Sequence, residues 1–201
     1  MRGNEMIQIA VALFVFFAGS PFAFAGPLHD AARDGDLEKA RALIDDGAGI
    51  DAQSDRGETP LTLAILAGND AVAELLIEKG AAIEGRNSGG FTPLHAAAYA
   101  GDAAIAKLLL AKGADVNDAQ NKAGVTPLFP AIEEDRKEVA ELLITQGADL
   151  GSKEKAGYTA LTRALFKGHE DMVILLRAHG AECQSDVLSE SQHQACLAAG
   201  K

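Results

Sequence analysis

Five histidines are the residues best able to do chemistry in this chain: His29, His95, His169, His179 and His193. Imidazoles act as metal ligands or acid–base groups when they converge, and two of them on one helix converge at a spacing of four. No two of these histidines stand at that spacing. Side-chain oxygens gather twice, at Asp115, Asn117 and Asp118 and again at Glu133-Glu134-Asp135. The first group lacks the glycine turn and distal glutamate of a calcium loop. The second reads as a solvated turn, not an acid–base pair. No Ser-His-Asp grouping and no glycine-rich phosphate loop stands out. The residues point away from catalysis, and neither metal nor cofactor is expected.

Cys183 and Cys196 are the two cysteines of the chain. In an oxidising compartment an isolated pair reads as a disulfide. Two buried free thiols are the competing reading, and a redox-active pair is disfavoured because the spacing is not Cys-x-x-Cys. Ser185 is placed to N-cap a tail helix carrying Val187, Leu188, Ala195 and Leu197, so residues 183–201 are expected to cap the apolar end of the fold.

The compartment is suggested by residues 1–25. Arg2 precedes an apolar run from Met6 to Ala18, Gly19, Ser20 and Pro21 end it, and Ala23-Phe24-Ala25 has the small-x-small form of a cleavage site. An uncleaved anchor is the alternative, but the run is short of the roughly 20 residues that span a bilayer. Export to a periplasm is therefore expected, with Gly26 as the first mature residue and no membrane contact afterwards.

Composition narrows the partners. The net charge is −11, from 18 Lys and Arg against 29 Asp and Glu, so nucleic acid and anionic membrane surfaces are disfavoured. Hydrophobic residues make up 48% but aromatics only 5%, which suggests a core of closely packed Ala- and Leu-rich helices.

The elements that carry these residues recur. Pro27, Pro60, Pro93, Pro127 and then Ala160 are separated by 33, 33, 34 and 33 residues. The columns Gly47, Gly80, Gly113, Gly147, Gly180 and Ala31, Ala64, Ala97, Ala131, Ala164 keep the same intervals. A fixed period of this length is the signature of a solenoid. Thr59-Pro60, Thr92-Pro93 and Thr126-Pro127 each set a capping hydroxyl before a proline at the first helical position. A short helix, a Gly-Asn-Asp or Gly-Asp turn and a second helix with paired leucines follow, closed by the Gly column.

Thr92-Pro93-Leu94-His95-Ala96-Ala97-Ala98, with Gly101 and Gly113-Ala114-Asp115-Val116-Asn117, closely resembles the ankyrin repeat. The resemblance runs over about 27–182 and implies an all-α solenoid of five helix-turn-helix repeats with hairpin-like fingers. The units fall at about 26–56, 57–89, 90–123, 124–156 and 157–182. It implies structural work for His29, His95 and His169, while His179 and His193 are expected to be exposed. Repeat 4 departs from the pattern, with Phe129 in the histidine place, Pro130 next to it, and Glu133-Glu134-Asp135 instead of the turn glycine. Its irregularity fits either a packing solution or a part of the binding face.

The resemblance also implies a protein-binding module that acts without catalysis and is monomeric on its own. Its variable positions map onto Phe91 and Tyr99, onto Val125, Glu133 and Glu134, and onto Tyr158, Phe166 and Lys167. Together these would form a concave edge with aromatic patches around an acidic centre, suited to basic groups of a partner. Three roles fit: an accessory or scaffold for an exported protein, an acidic immunity protein neutralising a periplasmic toxin, or a helper of a haem enzyme such as catalase.

Overall fold

Thr59, Thr92 and Thr159 stand in extended conformation directly before helices, and each places its hydroxyl on the first turn. Thr59 and Thr159 accept the amides of Thr62 and Thr162, both at 3.3 Å. These caps begin the inner helices of a computed structural model that describes residues 26–199; the signal-like run of residues 1–25 lies outside the described residues. In chain order the helices are α1 (Pro27–Asp34), α2 (Leu37–Asp45), α3 (Pro60–Leu66), α4 (Asp70–Glu78), α5 (Pro93–Ala100) and α6 (Ala103–Ala111). They continue as α7 (Leu128–Glu133), α8 (Lys137–Thr145), α9 (Ala160–Lys167), α10 (Glu170–Ala178) and α11 (Glu190–Ala198).

The predicted solenoid is what forms. Odd-numbered helices α1 to α9 make one layer and even-numbered helices α2 to α10 the other, each packing on its repeat-mate and on its equivalent next door. Ala31, Ala64, Ala97, Ala131 and Ala164 are all buried, and without bulk there the inner helices lie close together. Leu76, Leu109, Leu143 and Leu176 fill the space between layers, wholly enclosed.

Between repeats the backbone is pinned by side chains. His95 Nδ1 accepts the Thr92 amide at 3.3 Å, which leaves the proton on Nε2 to be donated to the Val125 carbonyl at 3.0 Å. His29 reaches the Glu58 carbonyl in the same way, at 3.2 Å. Asn69 performs the second kind of link, donating to the carbonyls of Ala32 and Arg33 at 2.9 and 2.8 Å.

The fingers form a row of their own. Ser88, Lys122 and Lys155 donate their backbone N–H groups to Arg56, Gly89 and Ala123 of the finger before, at 3.1, 2.9 and 3.0 Å. Gly90 makes this approach possible: its φ is +86°, and a Cβ there would come within 2.7 Å of Asn121 Cα.

Repeat 4 is irregular for a local reason. Phe129 and Pro130 are both buried, so this part of the anomaly is packing and not exposed surface. Phe129 cannot accept as His95 does, the Thr126 hydroxyl is left without a partner, and the helix begins only at Leu128. Asp135 takes the left-handed turn conformation (φ +53°) that glycine supplies elsewhere, which an aspartate tolerates better than most residues.

The tail differs from its expected form. Ser189, not Ser185, caps α11, because Ser189 and Gln192 form a reciprocal capping box. Val187 and Leu188 lie before the helix, and Leu197 is 37% exposed. What anchors the tail is Gln184, whose Oε1 accepts from the Thr159 amide and Thr162 hydroxyl at 2.7 and 2.6 Å, together with Leu188 and the Cys183–Cys196 disulfide. His193 is half-buried by this arrangement, whereas His179 is exposed.

Two outcomes follow for stability. The disulfide closes a separation of 13 residues, worth ~3 kcal/mol in the chain-entropy model, so reductant should lower the melting temperature. Superimposable melting curves with and without reductant would contradict this.

Burial pushes the His95 imidazole down to about 4 from its ordinary 6.5. The unfolded chain therefore binds an extra proton between those values, and stability falls as pH descends from about 6.5 towards 4. The loss attributable to His95 approaches about 3 kcal/mol, readable as the difference between wild type and His95→Gln in urea titrations at pH 7 and 4.5. A difference independent of pH would refute it.

Candidate functional site

The surface that the fingers share with the C-terminal ends of the inner helices holds the residues mapped for partner binding, and the structure divides them into two groups. Phe91 and Val125 belong to the frame. The Phe91 ring is only 4% exposed and stands edge-on to His95, with centroids 5.5 Å apart. Val125 has both backbone groups bonded to Asn121, and its carbonyl also takes the His95 proton. The exposed role expected of Phe91 is thus not found; its ring shields the histidine link from water.

The second group gathers on repeats 4 and 5. Arg163, on the inner helix α9, is buried and donates from Nη2 to Glu154 Oε1 at 2.6 Å. Its Nε lies 3.6 Å from Glu133 Oε1, and its guanidinium sits 5.0 Å from the centre of the Tyr158 ring. Lys167 Nζ closes the group at 2.7 Å from Glu133 Oε2. Two buried carboxylates are thereby balanced by two cations.

Glu133 is consequently not an acidic centre open to a partner. Its side chain is 5% exposed and already neutralised. Glu134 is half-buried beside Tyr99, whose phenol is raised first by burial and then by that carboxylate. Asp135 is exposed and lies 3.9 Å from His169 Nδ1.

Above this ion network sits an aromatic pair. Tyr158 and Phe166 meet edge to face with centroids 5.3 Å apart, a favourable arrangement for two rings. Tyr158 is half-buried, but Phe166 stays 42% exposed on the last turn of α9, beside Lys167. Tyr99 occupies the equivalent place on α5, half-buried, and its carbonyl accepts from Arg136 Nε at 3.1 Å.

Arg163 and Glu154 are the members that sequence inspection missed. Arg163 stands where the other repeats carry Asp30, Leu63, Ala96 and Pro130. A cation in a mostly uncharged inner column, with Glu133 in the previous repeat and Glu154 in the finger leading into its own, is the signal that could have found it.

Chemically, the face offers apolar area and fixed charge but no convergence of acid, base and nucleophile. The perturbed titratable groups are dispersed along the stack: Asp45 held low by Lys79, Glu58 raised by burial, Asp102 raised by burial and by neighbouring Asp70, and Asp118 held low by Arg86. Among the described residues no three His, Cys, Asp or Glu side chains gather as metal ligands.

The ankyrin-repeat family model of three copies matches residues 28–120 and again 117–186. No curated protein matches the chain.

The ion network makes its own prediction. Arg163→Leu strands buried Glu154 and leaves Glu133 with Lys167 alone, and should destabilise the protein by roughly 3–5 kcal/mol, whereas Lys167→Ala, at a side chain 42% exposed, should cost under about 1 kcal/mol. Urea unfolding of both variants checks this, and equal effects would disprove the burial asymmetry.

Proposed function

Because the chain belongs to the ankyrin-repeat family, whose members serve as protein–protein interaction modules, we propose that it binds one exported partner protein as a non-enzymatic accessory or scaffold. The observation that carries this reading is Phe166. A ring 42% exposed, propped edge-on by Tyr158 over a buried ion network, contributes little to the core yet is held in a fixed place. Rigid aromatic groups of this kind are typical binding hot spots, because they add contact area with little loss of side-chain freedom.

Tyr99 and Glu134 on one side and Phe166 and Lys167 on the other bound the proposed contact face across repeats 3 to 5. The location is the periplasm, on the strength of the signal-like run at 1–25 and of a disulfide, a bond that persists in oxidising compartments. An immunity protein or a helper of a haem enzyme would use the same face; neither has a specific observation in its favour.

Affinity purification of the tagged protein from the periplasmic fraction, followed by mass spectrometry, should recover the partner. Phe166→Ala should weaken that complex by at least ~2 kcal/mol, and Tyr99→Ala by a smaller amount because its ring is half-buried, while both variants keep the wild-type circular dichroism spectrum. Full retention of the partner by the double variant would rule this face out.

A further inference from the structure

Asp55, Ser88, Lys122 and Lys155 occupy the same place in successive fingers. The last three donate their backbone N–H groups to the finger before, so their main chains form a fixed row, and all four side chains are exposed. Charge along that row runs from negative through neutral to two positives.

Lys122 and Lys155 have no ion-pair or hydrogen-bond partner for their ammonium groups among the described residues. The acids of the same region are engaged elsewhere: Asp118 with Arg86, Glu154 with Arg163, and Glu133 with Lys167. A protein of net charge −11 thus presents free positive charge on the fingers leading into repeats 4 and 5. The stem of Lys155 is also placed, since a Cβ on Gly124 of the neighbouring finger would lie 3.2 Å from Lys155 Cγ. Three residues further along the same finger comes Tyr158, edge-on to exposed Phe166.

From this placement we infer that the two fingers leading into repeats 4 and 5 recognise an acidic, extended segment of the partner protein, with carboxylates over Lys122 and Lys155 and an apolar ring against Phe166. The inference rests on the protein-binding reading and supplies the partner's chemistry. Stacked repeats place neighbouring fingers about 10 Å apart, and an extended chain rises about 3.3 Å per residue, so the two carboxylates belong about three residues apart. Exposed pairs of this kind add modest affinity and strong salt dependence, acting mainly on the rate of association.

The test uses the 15N-labelled protein and three probes: the capped peptide EGSEGF, its counterpart KGSKGF, and the oligonucleotide dT6. The acidic peptide should shift the amide resonances of Lys122, Lys155, Tyr158 and Phe166. Reversal of both charges, Lys122→Glu with Lys155→Glu, should weaken that binding at least fivefold, and raising the salt should do the same. Equal or tighter binding of KGSKGF, equal binding of dT6 at the same residues, or no shift with millimolar EGSEGF would overturn the inference. In the periplasmic purification the two readings separate. If Phe166→Ala loses the partner but the double charge reversal keeps it, the acidic-segment inference falls and the protein-binding reading stands.

Discussion

Helices of six to nine residues do not persist alone in water, because too few hydrogen bonds form to offset the cost of starting them. Everything else in this protein follows from that constraint. Each short helix must be held by its neighbours, so the core is a chain of contacts between adjacent repeats. The His95–Val125, His29–Glu58 and Asn69–Arg33 bonds are the polar side of this dependence, and the alanine columns are the apolar side. Where a link is missing, as at Thr126 beside Phe129, the helix starts late. After the fifth repeat Gln184 accepts from the Thr159 amide and the Thr162 hydroxyl, while the disulfide holds the tail.

A frame held at every junction also holds its surface. Arg163 lies inside the last repeat with Glu154, Glu133 and Tyr158 around it, and the exposed ring of Phe166 stands on that assembly. A buried ion network gains little over a well-packed apolar core, but it constrains direction, because each charge must face its partner. The consequence is a surface aromatic whose position depends on charges enclosed beneath it. In the proposed complex, binding energy would then not be spent on ordering that ring.

Much of the fold was legible because the determinants recur. Proline, alanine and glycine columns at intervals of 33 and 34 residues declare the period, and Thr-Pro declares the helix starts. The pairing of Cys183 with Cys196 was equally readable, since the chain has no other cysteine. The site was read less well, because it depends on departures from the repeat. Phe91 and Tyr158 hold equivalent positions, yet one is buried against His95 while the other leans on Arg163 and leaves Phe166 exposed. Glu133 looks like a surface acid until Arg163, thirty residues on, is seen to neutralise it. The finger column Gly57, Gly90, Gly124 and Gly157 keeps the period as faithfully as the others, and at its first three members the next finger comes too close for a side chain.

The central claim is that partner binding belongs to the finger side of repeats 3 to 5 and not to the outer layer. Ile174, on α10, provides a fair control: it is 50% exposed, more so than Phe166, and lies where the other repeats carry Arg41, Glu74, Lys107 and Glu141. A photo-crosslinking amino acid installed at position 166 or at position 174 in exporting cells compares the two faces directly. A discrete crosslinked species from position 166 and none from position 174 is the predicted result. The same species from position 174 alone would place the binding face in the outer layer and contradict the account.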